Sequence, residues 1–369
     1  MEIVNQALLA YRKHRKKVKL ENEAKRKIKM HGEWSDLNYE EFECIDKKYS
    51  HSYMMYKNTY GSFSKYFVPD SEYQAIILPT LNSINYSGSG TMLAKRIFMD
   101  KNYFELMMPD INFPKTIFRR INNVYMTPDY KCIEVDGALK LLEKHEKAVF
   151  KLSMDSGHGK GVSLISSMNY CKSLLESFGS DYVVQEVIVQ HEFLSNFNDS
   201  SVNAVRITTV NWKGKCFSIG AILRVGAPGS FCDHLGSAGI NPRIAAIDNY
   251  GELYGCALDT ENFSRHEDIW GTKIQGHIPK FDQMLTQALD NHSKFPSYGI
   301  LGWDFTVDNN DTVICLEYNA RIPGIVQSQA LLGPVFQIRG VTGIPLKDEI
   351  LEIYEQNKKR KKKHNLGTI

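Results

Sequence analysis

Residues 302–321 read GWDFTVDNNDTVICLEYNAR, with two short apolar runs on either side of the polar tetrad Asp308–Asp311. Four consecutive Asp and Asn residues are typical of a turn, because both residue types tolerate left-handed backbone conformations. The pattern predicts a β-hairpin, in which side chains alternate between the two faces and one face is apolar. That face would contain Trp303, Phe305, Val307, Ile314, Leu316 and Tyr318.

The opposite face of the predicted hairpin is polar. It would contain Asp304, Thr306, Glu317 and Asn319. A hairpin that pairs Val307 with Thr312 puts Cys315 opposite Asp304. Glu317 would then lie diagonal to Asp304, roughly 7–8 Å away between Cα atoms. Two carboxylates and an amide oxygen with no lysine among them favour a hard cation such as Mg²⁺, but an amphipathic hairpin with a hydrated acidic face fits the same pattern.

A second segment, residues 148–165 (AVFKLSMDSGHGKGVSLI), has three glycines at alternate positions between two β-rich runs. Such a loop can fold over phosphates and direct backbone N–H groups at them. It lacks P-loop spacing, and it leads into a strand where a dinucleotide-binding loop leads into a helix. A glycine-rich hairpin tip in solvent is the alternative. Lys151, in the apolar run before the loop, favours a phosphate site because a buried lysine needs an anionic partner.

A third segment, Tyr182 to His191 (YVVQEVIVQH), is an apolar run that ends in polar residues, typical of a strand that could lead into a hinge. From about residue 91 onward, other β-rich runs alternate with helical stretches. Several adjacent runs are joined by connections too short for a crossover helix. The sequence therefore predicts an α+β fold built on mainly antiparallel sheet, with a helix over residues 1–30.

The composition excludes several classes of protein. The chain has 369 residues, of which 43% are hydrophobic, so it is not a mostly disordered chain. No apolar run approaches the length of a membrane-spanning helix, and residues 1–10 lack the features of a secretory signal. The seven cysteines include no C-x-x-C pair, which argues against a disulfide framework or a structural zinc site and favours the reducing cytoplasm.

Charge is unevenly distributed along the chain. The formal net charge is +3, but residues 12–29 carry +8 and the unbroken basic run 358–363 carries +6. The remainder is therefore acidic. Basic ends of this kind are most often solvated, and they could also bind nucleic acid or anionic lipid. The tail has no interleaved aromatic residues for base stacking, which makes nucleic acid the weaker hypothesis.

Taken in order, these segments resemble an ATP-grasp enzyme, and specifically the sugar-transfer-associated ATP-grasp family. The resemblance covers about Asp100 to Gly343 and depends on the order of its elements. These are Asp100-Lys101, Lys151 with the glycine-rich loop, Gln185-Glu186, Asn203-x-x-Arg206, residues 222–226, and Asp304 with Glu317-x-Asn319. It implies the ATP-grasp fold, in which two α+β subdomains clasp ATP between antiparallel sheets.

The resemblance also implies a domain organisation. An N-terminal region, residues 1–90, would contain the basic helix and a small α/β segment. The ATP-grasp domain would cover residues 91–345, with a nucleotide-lid subdomain at about 99–190 and a metal-binding, catalytic subdomain at 191–345. Pro345 would open a C-terminal helix that continues into the basic tail, residues 346–369.

Roles for individual residues follow from the same resemblance. ATP would be bound by Lys101, Lys151, Ser156, Gly157, Gly159, Gly161, Gln185, Glu186, Val187 and Ile188. One or two Mg²⁺ ions, or Mn²⁺ in their place, would be held by Asp304, Glu317 and Asn319.

Two arginines and one loop complete the predicted site. Arg206 and Arg321 would stabilise charge on the transferred phosphoryl group. Residues 231–239 resemble a stretch of the family that reads Asp-Asn followed by Gly-Gly, with His replacing the Asn here. The candidate substrate contacts in this loop are Asp233, His234 and Ser237.

The family implies a carboxylate–amine ligase that acts through an acylphosphate. The substrates would be a small-molecule carboxylate and an amine, such as a sugar acid or an amino-acid component of a surface polysaccharide. A kinase on the same scaffold, phosphorylating a hydroxyl, is the alternative. The enzyme would be cytoplasmic, and peripheral contact of its basic ends with the inner face of the membrane is a further hypothesis.

Overall fold

The computed structural model of the chain describes residues 66–68, 70–83, 97–154, 161–233, 239–261 and 263–366. Three segments discussed above lie outside the described residues: the predicted helix over residues 1–30, the loop residues 155–160, and residues 234–238.

Most helices are short. The α-helices are α1 Asp70–Glu72, α2 Leu78–Ser83, α3 Phe104–Met107, α4 Val135–Leu142, α5 Lys172–Ser177, α6 Glu192–Ser195, α7 Phe281–Ser293, α8 Val326–Leu332 and α9 Leu346–Leu366. A π-helical segment, Tyr73–Ile77, joins α1 to α2, and 3₁₀ turns occur at Lys101–Tyr103, Ser167–Asn169 and Val335–Gln337. Within the described part of the chain, no helix combines the length and the apolar character needed to cross a bilayer. The last helix begins directly after Pro345, as the sequence predicts.

The first sheet has six strands in the order β3-β2-β1-β6-β4-β5 and is antiparallel throughout. Its strands are β1 Thr116–Ile121, β2 Val124–Met126, β3 Cys132–Ile133, β4 Lys147–Leu152, β5 Val162–Ser166 and β6 Tyr182–Glu186. Leu142 of α4 and Leu175 of α5 are fully buried in one core with Phe118 and Phe150 of the sheet. The sheet therefore has one face buried under two helices.

The second sheet has seven strands in the order β11-β10-β9-β8-β7-β14-β15. Its strands are β7 Ala204–Trp212, β8 Lys215–Val225, β9 Arg243–Ile247, β10 Leu253–Asp259, β11 Arg265–His266, β14 Ile300–Val307 and β15 Val313–Asn319, and β12 Asp268–Ile269 pairs with β13 Thr272–Lys273 in a separate ribbon. Phe281, Met284 and Ala288 of α7 lie in the same core as Trp303 of β14. The predicted α+β fold on antiparallel sheet is confirmed.

Two central strands of the second sheet are buried along their whole length. Every residue of β7 and of β14 is buried. Such strands are usually continuous apolar runs, because neither face meets water. Arg206 of β7 and Asp304 of β14 break this rule, and they lie directly opposite each other in the sheet.

The β14–β15 hairpin forms as predicted, but its register differs from the predicted one. Val307 pairs with Val313, and an irregularity follows Asp304, which then lies directly opposite Glu317. The predicted diagonal arrangement of the two carboxylates was therefore wrong. Two differences add up to this shift: the turn is one residue longer than predicted, and a β-bulge puts one extra residue, Leu316, on β15 between two paired positions.

The bulge also changes which residues of β15 face the core. Val313, Cys315 and Tyr318 belong to the apolar core, whereas Leu316 lines a cavity on the other side of the sheet. The predicted apolar face had placed Ile314 and Leu316 in the core, which was wrong because regular alternation stops at the bulge.

The chain forms two compact units. One contains the described residues up to Leu81, residues 258–265 and the residues from Gly324 onward, and the other contains residues 82–257 and 266–323. In the first unit, Gln329 Nε2 donates to the carbonyl of Val68 at 2.8 Å and its Oε1 accepts from the Val68 amide at 3.0 Å. Every residue of the site described next belongs to the second unit. The predicted domain boundaries stay predictions.

Candidate active site

Lys151 lies on β4, directly before the glycine-rich loop, and its side chain is half-buried. Its Nζ donates to the carbonyl of Leu316 on β15 at 3.5 Å. Burial lowers the pKa of Lys151 to about 8, although the carboxylate of Glu317 acts in the opposite direction. A cation that is incompletely compensated in this way attracts an anionic ligand.

Lys101 approaches the same carboxylate from a different element. It begins the 3₁₀ turn Lys101–Tyr103, and its Nζ lies 3.6 Å from Glu317 Oε2. Its backbone N–H donates to the carbonyl of Ser153 at 3.0 Å, just after the end of β4. The structure therefore brings both predicted phosphate-binding lysines to Glu317.

Asp304 is bound by Arg206 through two hydrogen bonds. Arg206 Nε donates to Oδ1 at 2.5 Å and Nη2 donates to Oδ2 at 2.7 Å, a bidentate arrangement. Burial alone would raise the pKa of Asp304, but the guanidinium groups of Arg206 and Arg224 hold it below its usual range. The carboxylate is therefore ionised within a buried ion pair.

Arg224 of β8 lies in the motif at residues 222–226, but no role in the site was predicted for it. Its Nη1 lies 3.3 Å from Asp304 Oδ1, and its Nε lies 3.3 Å from Asp233 Oδ2, with all three side chains buried. An arginine within the apolar run Ile222–Val225 is the same signal that marks Lys151 in its own strand. That signal could have identified Arg224 from the sequence.

The three predicted metal ligands do come together. Asn319 Nδ2 lies 3.3 Å from Asp304 Oδ2 and 3.5 Å from Glu317 Oε1. Carboxylate and amide oxygens are ligands of Mg²⁺, and a rotation of the Asn319 amide would present its oxygen, so this donor set fits such an ion. Within the described residues, no three His, Cys, Asp or Glu side chains form a metal-binding group.

The structure places more positive charge beside these carboxylates than the sequence pattern predicted. The sequence pattern placed no lysine among the carboxylates and left them without a protein cation. In the structure Arg206, Arg224 and Lys101 lie within 4 Å of them. The reason is that these cations come from β7, β8 and the 3₁₀ turn, which are distant from the hairpin in sequence.

A cavity of about 450 Å³ lies beside this charged cluster. Part of its wall is apolar, formed by Val149, Val162, Leu164 and Leu316. The segment from Gln185 to Gln190 lines the same cavity, and its first four residues are among those predicted to bind ATP. Lys151, Asp304, Glu317 and Asp233 form its charged part.

Gln185 is a buried polar residue of the cavity wall. Its Nε2 donates to the carbonyl of Pro114 at 3.2 Å, which fixes the orientation of the amide. Its Oε1 is buried and has no hydrogen-bond partner among the described residues. A buried acceptor of this kind costs free energy unless a ligand donates to it.

A family model described as sugar-transfer associated ATP-grasp matches residues 95–339. The chain belongs to this ATP-grasp family. The match extends from before the first sheet to beyond α8 and confirms the resemblance found in the order of the motifs. No curated protein matches the sequence.

Solved structures of ATP-grasp enzymes are similar to this chain at low sequence identity. The ATP-grasp ligase PsnB complexed with minimal precursor is 13% identical, with 69% of this chain and 61% of that chain covered and a TM-score of 0.38. D-alanyl-alanine synthetase A from Vibrio cholerae is 12% identical, with coverages of 70% and 64% and a TM-score of 0.39. The biotin carboxylase domain of 2-oxoglutarate carboxylase from Hydrogenobacter thermophilus is 13% identical, with coverages of 63% and 45% and a TM-score of 0.36. The chain thus spans less than two thirds of each of these proteins.

Gly161 closes the glycine-rich loop of this ATP-grasp chain. Its φ is +79°, and its carbonyl accepts from the Leu152 amide at 2.8 Å. A Cβ at this position would lie 2.7 Å from Leu152 Cδ1. Both the backbone conformation and the close contact therefore require glycine.

The remaining predicted site residues have different positions. Arg321 is exposed and lies beyond the end of β15, outside the residues that line the cavity. Asp233 is buried against Arg224. The predicted site residues outside the described part of the chain are Ser156, Gly157, Gly159, His234 and Ser237.

Proposed function

We propose that this chain is an ATP-dependent carboxylate–amine ligase that acts through an acylphosphate intermediate. The observation that supports this proposal best is that one cavity has both an apolar part and a charged part. One part is apolar and includes the buried acceptor of Gln185, and the other contains Lys151 with the carboxylates of Asp304 and Glu317. Lys101 approaches this second part through Glu317, 3.6 Å away. A nucleotide has the same two parts, an apolar base and a polyanionic phosphate chain.

The apolar part would hold the adenine base. Val149, Val162 and Leu316 would contact its two faces, and backbone groups from Gln185 to Ile188 would meet its polar edge. The Oε1 atom of Gln185 would accept from the exocyclic amino group. Guanine has an acceptor at the equivalent position, so the fixed orientation of Gln185 favours adenine.

The charged part would hold the phosphates. Lys101 and Lys151 would each supply a positive charge, and the loop that contains Ser156, Gly157, Gly159 and Gly161 would cover the terminal phosphates and exclude water. Asp304, Glu317 and Asn319 would hold one or two Mg²⁺ ions, with Mn²⁺ able to substitute. The ions, when bound, would neutralise charge on the phosphates.

In the proposed reaction, a carboxylate oxygen of the acceptor attacks the γ-phosphorus while the bond from that phosphorus to the bridging oxygen breaks, which releases ADP. The amine nitrogen then attacks the carbonyl carbon of the acylphosphate, the carbon–oxygen bond breaks, and phosphate leaves as the amine loses its proton. Two anions must approach in the first step. Arg206 holds a fixed positive charge beside Asp304, and Arg321 would add a second charge from the end of β15.

The substrate class is a proposal drawn from the family description, which links these enzymes to sugar transfer. We propose a sugar acid or amino-acid component of a surface polysaccharide as the carboxylate, with Asp233, His234 and Ser237 near it. The enzyme would act in the cytoplasm. Lys358, Lys359 and Arg360 are exposed on α9, so they are available for peripheral contact with anionic lipid.

The test measures ADP and phosphate release with Mg²⁺ across pairs of carboxylates and amines that include uronic acids, amino acids and polyamines. The proposal predicts ADP and free phosphate only when both substrates are present. ADP together with a phosphorylated product and no free phosphate would instead support the kinase. Glu317→Gln should abolish turnover, whereas the same change at the exposed Glu143 should not alter it.

A further inference from the structure

The turn that carries Lys101 is too short to hold its own position. It is a 3₁₀ turn of three residues, Lys101–Tyr103, and a single turn without tertiary contacts is unstable in water. Yet the Lys101 ammonium lies 3.6 Å from Glu317. Its position must therefore be set by surrounding groups.

Arg119 of β1 is one of these groups. Its side chain is completely buried. Nη1 donates to the carbonyl of Asn102 at 2.6 Å, Nη2 donates to the carbonyl of Pro128 at 3.2 Å, and Nη2 also forms an ion pair with Glu105. A buried guanidinium is costly, and this one binds the backbone of the residue next to Lys101.

Tyr130 binds the same backbone carbonyl. Its hydroxyl donates to Asn102 O at 2.6 Å, and its ring centroid lies 4.3 Å from the Arg119 guanidinium carbon. Burial raises the pKa of Tyr130 to about 12, so the hydroxyl retains its proton at neutral pH. Both lone pairs of the Asn102 carbonyl are thereby used.

The other side of the turn is bound to the chain just after the strand that carries Lys151. The Lys101 amide donates to Ser153 O at 3.0 Å, and the Asn102 amide donates to Asp100 Oδ1 at 2.9 Å. The turn is therefore fixed both to Ser153, the residue after β4, and, through Arg119, to β1.

We propose that Arg119 and Tyr130 are positioning residues, which hold the Asn102 carbonyl so that Lys101 is directed at the nucleotide phosphates. This inference rests on the proposed function, because it takes Lys101 to bind ATP. Neither side chain contacts the cavity, and both act through the backbone of the turn.

The test is a double-mutant cycle between Tyr130→Phe and Lys101→Ala, with the dissociation constant of Mg·ADP measured by calorimetry. Tyr130→Phe keeps the ring over Arg119 and removes one hydrogen bond. It should weaken Mg·ADP binding about fivefold in the wild-type background. In the Lys101→Ala background it should have no further effect, since the two residues act through one contact. Tyr250→Phe, at an exposed tyrosine, is the matched control and should leave binding unchanged.

An equal loss of affinity in both backgrounds would overturn the inference, because it would mean that Tyr130 acts on the site independently of Lys101. No loss in either background would overturn it as well, provided that wild-type protein binds Mg·ADP and Lys101→Ala weakens that binding. Failure of the wild-type protein to bind Mg·ADP would overturn the proposed function, and with it this inference.

Discussion

Asp304 accepts hydrogen bonds from Arg206 and Asn319 and lies 3.3 Å from Arg224, within a strand that is buried along its whole length. A carboxylate in this position has a structural role in addition to the proposed role in metal binding. Removing one partner of a buried ion pair leaves the others uncompensated, which is more costly than loss of the pair as a whole.

Asp304→Asn should therefore destabilise the protein even without metal or nucleotide. We expect the free energy of unfolding to fall by about 3 kcal/mol, because buried Arg206 loses its counterion and Arg224 keeps only Asp233. Urea unfolding in the presence of a chelator measures this loss. Asp311→Asn is the matched control in the same hairpin, where an exposed carboxylate at φ +61° tolerates Asn and should cost less than about 1 kcal/mol. Equal, small effects of the two changes would contradict the account of Asp304.

The lowered pKa of Lys151 predicts how the affinity for nucleotide depends on pH. Its pKa in the free protein is lowered to about 8, and only the protonated form attracts phosphate. Affinity for Mg·ATP should therefore be highest below pH 8 and fall by up to about tenfold for each pH unit above it. Calorimetry across this range measures the effect. In Lys151→Arg the side chain stays charged, so the fall should disappear, and a fall of the same size in both proteins would assign it to another group.

Several of these residues could be predicted from the sequence around them, because a charged residue within an apolar run is unusual. Lys151 was predicted because it interrupts an apolar run, and Arg224 interrupts one in the same way. What no local signal predicts is the partner. Arg206 and Asp304 are 98 residues apart and meet only because β7 and β14 are neighbours in the sheet.

At the scale of secondary structure, the charged groups of the site come from the hairpin 300–319, from β4, β7 and β8, and from the 3₁₀ turn that carries Lys101. The sequence predicts the hairpin from its turn residues and its apolar runs, and pairing between β14 and β15 confirms it. It does not predict the bulge, which has no distinctive residue in β15 and depends on packing against the rest of the sheet. The bulge accounts for one residue of the error in register, and a turn one residue longer than predicted accounts for the other.

Gly161→Ala should lower stability more than the same change at Gly179. Both glycines have positive φ, of +79° and +59°, so each substitution costs about 1–2 kcal/mol in backbone strain. At Gly161 the new Cβ would also meet Leu152 at 2.7 Å, whereas Gly179 faces open space. We expect roughly 1 kcal/mol of additional loss at Gly161, measured by urea unfolding. Equal losses would mean that Leu152 moves aside without cost.

At the scale of the whole chain, the order of the motifs predicted the family and the fold, and the family model that matches residues 95–339 confirms the family. Contacts between distant segments could not be predicted in this way. Val68 binds Gln329, which is 261 residues away, and Lys347 lies 2.9 Å from Glu72. No sequence periodicity relates these residues.

Two truncated chains should show that the first residues of α9 stabilise the fold and that its basic end does not. A chain ending at residue 345 loses Lys347, whose Nζ donates to the Phe67 carbonyl at 2.8 Å, and Glu349, which accepts from Thr342. Its melting temperature should fall by about 5 °C or more. A chain ending at residue 360 keeps these contacts, so its melting temperature should lie within about 1 °C of that of the full chain. Equal melting of the two truncated chains would contradict this division of α9.

The basic tail allows a separate test of membrane contact. We expect the chain ending at residue 360 to co-sediment less than the full chain with vesicles rich in anionic lipid, because three lysines are removed at about 1 kcal/mol each. The control uses vesicles of neutral lipid. Equal sedimentation of both chains would remove residues 361–369 from the membrane hypothesis.

The central claim is that the apolar cavity and the cluster of Lys101, Lys151 and Glu317 form one nucleotide site. Calorimetric titration with Mg·ADP tests it most directly, comparing the wild type with Lys151→Met, Glu317→Gln and the exposed control Glu143→Gln. We predict that the wild type and the control bind with one site per chain, and that each of the other two variants loses about tenfold or more in affinity. Absence of binding by the wild type, or binding unaffected by both substitutions, would contradict the account.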